Sequence, residues 1–343
     1  MEKEKLEKEE TGGEAGEVPS GDVSGKTTSA GKGDGERLTT PAEAAYGKLR
    51  IYFWAVAVLS AVAAAARSLA VLFSFDAEPG YFRTGLLPAF QLALTAVTFV
   101  IILSVFLFVP KELPGKRPGF GSGYFISTFA GFMLAFEAGY RIYLLAGGRF
   151  AECVAILSGS GSGIGGRNEK ICAVLTLVIP VVSACSSALF FMRASTDEGE
   201  ISAGRRSARL VMGIFPALRA ILGFSLLYFD LSKVMNGDNN LAAEAGLIMI
   251  MLFFLAENRM EFGGEKSLPR AYVAAGLAAF LLAGTAGISA GIGFFAGKTG
   301  GEMTVEALYM TVAGIYALIR TRDYTAFLGR STSGGEERQK GEE

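Results

Sequence analysis

The chain has 343 residues, of which 51% are hydrophobic and 19% charged, and its formal net charge is −1. Its long apolar segments exclude an ordinary soluble domain, and its balanced charge provides no general attraction for nucleic acid. The sequence contains no histidine and three cysteines, which excludes a Ser-His-Asp triad and the usual zinc sites. We therefore predict no metal, no cofactor and no catalytic site, and a protein that is not an enzyme.

The predicted elements begin with residues 1–48, a polar segment that buries too little apolar surface to fold and is predicted to be a disordered cytoplasmic tail. Residues 49–322 are predicted to form a transmembrane helical domain, since about 20 apolar residues cross a bilayer as a helix. Residues 323–343 form a second predicted disordered cytoplasmic tail. The fold class is thus an all-α polytopic membrane bundle with eight spans, near residues 50–75, 86–109, 122–146, 171–193, 209–229, 240–256, 269–296 and 303–321.

The connection after the first span reads FDAEPGYFRTG, and its Asp, Glu, Pro and Gly residues predict a tight turn. This loop resembles one in uncharacterised multi-spanning integral membrane proteins of Firmicutes. Asp76, Glu78 and Gly80 match the pattern of that group, while Ala77 and Pro79 depart from it. The resemblance implies a bacterial inner-membrane protein and no catalytic activity.

The stretch GSGSGIGG, residues 159–166, matches the G-x-G-x-x-G pattern of dinucleotide-binding sites. Such a site requires a strand before the glycines, a helix after them and an acid about twenty residues further on. Here Ser186 occupies that position, inside a predicted span. We therefore interpret the octet as a Gly/Ser connection between spans three and four, within a predicted outer loop at 147–170.

Two broader patterns concern orientation and symmetry. With the N-terminus inside, fifteen Lys and Arg residues lie in or beside the inner connections and six in the outer ones, which predicts that both termini are cytoplasmic. Similar spacing of Arg67–Asp76 and Arg219–Asp230 indicates a 4+4 parallel repeat. The alternative is a chance similarity between helices.

The seventh span carries a small residue at every fourth position. Small side chains on one helical stripe let backbones approach closely in a membrane. We expect this stripe to pack within the bundle, and the alternative is a dimer interface. Its members are Ala275, Ala279, Ala283, Gly287 and Gly291.

The most informative residues are six ionisable side chains inside the predicted spans, because a charge in the bilayer usually faces protein or water. Glu137 and Arg141 are four residues apart on one helix and are expected to pair. The six form a candidate charge cluster, expected to line one cavity open to the outer face: Arg67, Glu137, Arg141, Arg219, Glu244 and Glu306.

Two interpretations of this cluster remain open. In one, the charges neutralise each other and fix the register of the helices. In the other, three arginines against one central carboxylate leave positive charge for a small polar or anionic ligand, as in a transporter or permease. The corresponding functions are a permease-like protein in contact with the lipid bilayer, or a membrane scaffold, sensor or assembly partner. A water-accessible cavity favours the first function, and a sealed set of paired charges favours the second.

Overall fold

The computed structural model of the protein describes residues 41–76, 81–108, 123–159, 166–195, 203–229, 238–261, 268–298 and 301–340. These residues form a bundle of α-helices with one pair of two-residue strands, so the predicted all-α bundle is confirmed. Residues 1–40 of the predicted N-terminal tail lie outside the described residues, and so does the centre of the predicted turn at 77–80.

The first half of the chain contains a long first helix, a small hairpin and three further helical spans. In the hairpin, Phe75 pairs with Phe82 and Asp76 pairs with Tyr81, on either side of the predicted turn. The elements are α1 (Pro41–Ser74), β1 (Phe75–Asp76), β2 (Tyr81–Phe82), α2 (Leu86–Leu103), α3 (Val105–Phe108), α4 (Gly123–Leu144), a π-helical turn (Leu145–Arg149), α5 (Phe150–Ser158) and α6 (Arg167–Ala194).

The second half contains four further spans, two of which are divided. The predicted fifth span is divided between α7 and α8, and a π-helical turn lies within the predicted seventh. The elements are α7 (Ala203–Met212), α8 (Phe215–Phe229), α9 (Asp238–Glu261), α10 (Leu268–Ala279), a π-helical turn (Phe280–Gly284), α11 (Thr285–Phe295) and α12 (Gly301–Lys340).

Within the described residues, seven helical segments are long and apolar enough to cross a membrane. They correspond to the first seven predicted spans. The predicted eighth span lies in α12, which is long enough to cross but is not among the seven. Its apolar sequence is interrupted by Glu306 and Arg320, which are both buried inside the bundle.

The helix of the predicted third span is longer than the sequence indicates. We predicted a loop from residue 147, whereas α4, the π-helical turn and α5 carry helical structure to Ser158. A kink occurs at Gly148, whose φ of 118° suits only glycine. The apolar residues of α5 pack against α6, with Cys153 buried, and this packing explains why the segment is helical rather than a loop.

The ends of the bundle also differ from the prediction. α1 begins at Pro41, a residue type favoured at the first helical position, and Leu49 is already buried. α12 continues to Lys340, although the second disordered tail was predicted from residue 323. Tyr324 is fully buried, so the helix is anchored beyond the predicted boundary, and extending an existing helix is easier than nucleating one.

The glycine octet connects two helices. α5 ends at Gly159 in a left-handed conformation, and the N–H of Gly166 donates to Glu169 Oε2 at 3.2 Å as α6 begins. Residues 160–165 lie outside the described residues. Because a helix precedes the glycines where a dinucleotide site needs a strand, the octet does not belong to a βαβ unit.

Five helices pack in a closed order around an interior, and we call them the five-helix ring. α4 packs against α6, α6 against α8, α8 against α9, α9 against α12, and α12 against α4. Beside this ring, α1 packs against α2, α11 and α12, and the α10–α11 segment packs against α9 and α12. The 4+4 repeat stays a prediction, although the first and second helices, and the third and fourth, pack together in both halves.

Glycines bring the α10–α11 segment into close contact with its neighbours. A Cβ added to Gly246 of α9 would lie 2.7 Å from Cα of Ala283, and one added to Gly314 of α12 would lie 2.9 Å from Cα of Gly284. A Cβ on Gly287 would meet the carbonyl oxygen of Ala307 in α12. The predicted intramolecular packing of the small-residue stripe is therefore confirmed at Ala283 and Gly287.

We expect Gly314→Ala to lower the free energy of unfolding by about 1–3 kcal/mol, because the new methyl group meets the backbone of Gly284 and the helices must separate. Gly139→Ala on α4 is the matched control, since nothing lies within 4 Å of its added Cβ. The control should be neutral or slightly stabilising. Equal denaturation curves for the two variants in detergent would contradict the close approach of α12 and the α10–α11 segment.

Candidate functional site

Four of the six predicted intramembrane charges meet inside the five-helix ring. They come from α4, α8 and α12, and α6 contributes a serine. Together with a tyrosine of α12 they form what we call the Arg219 cluster, which consists of Glu137, Arg141, Ser183, Arg219, Glu306 and Tyr309.

Arg219 lies at the centre of this cluster and is fully buried. Its two terminal nitrogens donate to the two carboxylate oxygens of Glu306 at 3.1 and 2.8 Å, the bidentate geometry that a guanidinium favours. Its Nε and Nη2 both contact Oε1 of Glu137. Ser183 accepts from Arg219 Nε at 3.1 Å and donates to Glu137 Oε2 at 3.2 Å. The ring centroid of Tyr309 lies 4.3 Å from the guanidinium carbon.

Arg141 forms the rim of the cluster. Its Nε donates to Glu137 Oε1 at 2.9 Å, so the predicted i,i+4 pair is confirmed. Its Nη2 donates to Glu306 Oε2 at 2.9 Å and thereby joins α4 to α12. The side chain of Arg141 is 14% exposed, whereas that of Glu137 is 1% exposed. The rim therefore faces the surroundings, and the centre of the cluster is sealed.

The Arg219 cluster is electrically balanced, with two guanidinium groups and two carboxylates. The sequence interpretation expected an excess of arginine because it placed Glu306 near the outer end of its helix. Glu306 instead reaches Arg219 and supplies the second carboxylate. This pairing satisfies the requirement that charges buried in a membrane protein be compensated, and it leaves no net positive charge for an anion.

The other two predicted members lie elsewhere. Arg67 of α1 donates from Nε to Ser289 Oγ of α11 at 3.2 Å, and its guanidinium carbon lies 5.7 Å from the ring centroid of Phe82. Glu244 lies on α9 and is half-buried. The structure therefore brings together four of the six predicted residues and leaves these two apart.

A second buried network, which the sequence did not indicate, lies inside the same ring but further along α12. Its centre is Glu257 of α9, whose two oxygens accept three hydrogen bonds. Arg193 Nη1 donates at 2.8 Å, Tyr316 Oη at 3.0 Å and Arg320 Nε at 3.1 Å. We call this the Glu257 cluster, and its members are Arg193, Arg209, Glu257, Glu261, Tyr316 and Arg320.

The remaining contacts of the Glu257 cluster connect α6, α7 and α9. Arg193 Nη2 donates to Glu261 Oε2 at 3.2 Å, and Arg209 Nη1 lies 3.9 Å from Glu261 Oε1. Arg209 also donates to the carbonyl oxygen of Met192 at 2.8 Å. Each carboxylate of the cluster thus serves two arginines, so three cationic side chains share two acids.

Sequence reasoning missed this cluster for identifiable reasons. Arg193, Arg209 and Arg320 were assigned to the positive inner flanks of their spans. The sixth span was predicted to end at residue 256, which placed Glu257 and Glu261 outside it. The signal that was present is their i,i+4 spacing, which puts both carboxylates on one face of a helix if α9 continues to residue 261.

Buried aromatic side chains lie between the two clusters along α6 and α12. The rings of Phe190 in α6 and Tyr316 in α12 meet edge to face at 4.9 Å, and Phe254 of α9 lies 5.9 Å from Phe190. Tyr309 of the Arg219 cluster lies on α12 as well, about two turns before Tyr316. We call the two clusters together with these aromatic residues the central column.

The central column is built on buried ion pairs in which one charged group serves two partners. Its carboxylates are all paired with arginines, whose guanidinium groups remain protonated in proteins. Among the residues that the structure describes, no group of three or more His, Cys, Asp or Glu side chains is placed to hold a metal ion.

No family model matches the chain, and neither a curated protein nor a solved structure matches it.

The Glu137–Arg141 pair gives a direct test of the Arg219 cluster. Glu137→Gln should lower the free energy of unfolding by about 3–5 kcal/mol, because it leaves a buried arginine undercompensated. Arg141→Leu should cost less, since Arg141 lies at the rim. The double variant should show a coupling energy of about 0.5–3 kcal/mol in denaturation experiments. Two single variants that fold and unfold like the wild type would show that the charges need no pairing.

The Glu257 cluster can be tested with two glutamates of the same helix. Glu257→Gln should destabilise the protein by about 3–5 kcal/mol, since Arg193 and Arg320 lose a shared buried carboxylate. Glu244→Gln, also on α9 but half-buried, should change stability by less than about 1 kcal/mol. Denaturation midpoints in detergent provide the measurement, and similar effects at both positions would contradict the central role of Glu257.

Proposed function

We propose that this multi-pass membrane protein is permease-like and moves a polar substrate through the central column of the five-helix ring. The supporting observation is the presence of two buried charge clusters at different depths of one ring. Glu306 and Arg320 of α12 belong to different clusters, and their separation of fourteen positions corresponds to about 21 Å of helix. That distance is a large part of the roughly 30 Å thickness of a hydrocarbon core.

The energetic cost of these charges supports the proposal. A buried ion pair is seldom more stable than apolar side chains of similar volume. Charges are therefore retained inside membrane bundles mainly where they serve a substrate or ion pathway. In a permease, each cluster acts as a seal that opens when its ion pairs exchange partners, and the aromatic group separates the two seals. Under this proposal, the structure corresponds to the state in which both seals are closed.

The charge balance of the Arg219 cluster bears on the substrate. Two guanidinium groups and two carboxylates favour a polar group that carries both charges, or none, over a simple anion. We therefore propose a polar substrate, and the balanced charge of the Arg219 cluster gives no support to an anionic one at that cluster.

Location and orientation are part of the same proposal. The resemblance of the loop around Asp76 to that of the Firmicutes membrane proteins supports a bacterial inner membrane. The excess of Lys and Arg at the inner connections supports cytoplasmic termini. Three of the fifteen inner residues, Arg193, Arg209 and Arg320, belong to the Glu257 cluster. The remaining twelve, which include Lys48, still outnumber the six Lys and Arg residues of the outer connections.

The second candidate function is a membrane scaffold or assembly partner that transports nothing. It is favoured by one observation, namely that the Arg219 cluster is internally paired and its centre is sealed. In that case the ion pairs only fix the rotation of the helices, and the ring does not open.

Cysteine accessibility distinguishes the two functions without knowledge of the substrate. In a background with Cys153, Cys172 and Cys185 replaced by alanine, we would introduce Ala313→Cys, which lies on the column side of α12 between the two clusters. Ala279→Cys on α10, equally buried but outside the ring, is the matched control. Lys298→Cys, at an exposed position, checks that the reagent is active.

A permease must open its column to water, so a membrane-impermeant, water-soluble thiol reagent should modify Ala313→Cys in membrane vesicles of both orientations, while Ala279→Cys stays unmodified. Rates of labelling are read by mass spectrometry. If Ala313→Cys reacts as slowly as Ala279→Cys, the column does not open and the scaffold function stands instead.

A further inference from the structure

An apolar groove of about 520 Å³ lies between α4, α11 and α12. Gly287 and Gly291 of α11 contribute to its lining together with Thr311 of α12, and Phe136 and Tyr140 of α4 form one side. Its volume falls within the range of ligand pockets in proteins. A Cβ added to Gly291 would have nothing within 4 Å, so the groove has free space beside this glycine.

The groove lies beside the rim of the Arg219 cluster. Phe136 and Tyr140 each directly precede a cluster member, Glu137 and Arg141, on α4. On α12, Val305 and Ala307 line the groove and flank Glu306. The ion pair between Arg141 and Glu306 therefore joins the same two helices that border the groove.

We propose that this groove holds an acyl chain of a zwitterionic phospholipid whose headgroup is recognised by the Arg141–Glu306 pair. The inference rests on the proposed permease function and names its substrate class as an amphiphile that enters sideways from the bilayer. The chain occupies the groove, and the polar head meets the ion pair that Arg141 of α4 forms with Glu306 of α12.

Charge complementarity identifies the headgroup. Arg141 can bind a phosphate through its partly exposed guanidinium, as arginine commonly does. Glu306 can bind an ammonium group in place of the guanidinium that it releases. A head with both charges thus substitutes for both partners of the pair and keeps the cluster neutral, whereas an anionic head on Arg141 would leave Glu137 and Glu306 to share Arg219 as their compensating cation.

Photocrosslinking tests the occupant. The full-length protein is placed in phosphatidylcholine nanodiscs that contain a few per cent of phosphatidylethanolamine with a diazirine in the acyl chain. After irradiation, crosslinks to groove peptides are quantified relative to crosslinks to α2 near Phe90 and Leu92, which are exposed on the bundle surface. We expect the groove signal to exceed the α2 signal at least fivefold, and phosphatidylglycerol with the same chain to show no such excess.

Gly291→Leu fills the groove and should abolish this excess. Gly139→Leu is the control, because it adds the same side chain to an exposed position of α4 with open space around it. Arg141→Gln should lower the preference for phosphatidylethanolamine over phosphatidylglycerol while groove labelling by the chain remains. Equal labelling by both lipids would overturn the zwitterionic assignment, and labelling that Gly291→Leu leaves unchanged would overturn the groove as the site.

The result is separable from that of the cysteine experiment. A specific lipid in the groove together with an unreactive Ala313→Cys would mean that the site is real and that the column is not its pathway. A reactive Ala313→Cys without groove labelling would leave the permease in place and remove lateral entry of a lipid.

Discussion

The buried guanidinium of Arg219 is the constraint on which the arrangement of the ring depends. A positive charge at this depth must be compensated, and the two carboxylates that compensate it come from different helices, α4 and α12. Both helices must therefore present one particular face to α8. The same ion pair restricts the residue type one turn after Arg219. A Cβ on Gly223 would collide with Glu306 and with the guanidinium of Arg219.

The bundle contains two physically different kinds of helix contact. Between α9, α12 and the α10–α11 segment, glycines allow backbones to touch, as at Gly246 and Gly314. Such contacts have one well-packed arrangement and tolerate little displacement. Around the central column, long charged side chains span the interior, and an ion pair can exchange one partner for another. The first kind of contact fixes the distance between backbones, and the second kind fixes the rotation of the helices through paired charges.

The sequence predicted the local features well and the contacts between distant helices poorly. Apolar length located seven spans, and i,i+4 spacing identified the Glu137–Arg141 pair, because both are properties of a single helix. The partnership of Arg219 with Glu306 depends on how helices far apart in the chain rotate, which no local pattern encodes. The Glu257 cluster was missed because charges near the end of an apolar run have the same appearance whether they face water or a neighbouring helix.

α12 belongs to both kinds of contact, and this limits which parts of the ring can move. Its Gly314 side is held against the α10–α11 segment, while Glu306, Tyr316 and Arg320 face the column. If the column opens, the glycine contact holds α12 against the α10–α11 segment, and the contacts that change are the ion pairs of α12 with Arg141 of α4, Arg219 of α8 and Glu257 of α9. The Arg141–Glu306 pair is one of these contacts and lies beside the groove, so separation of that pair would open the column towards the bilayer as well as along its axis.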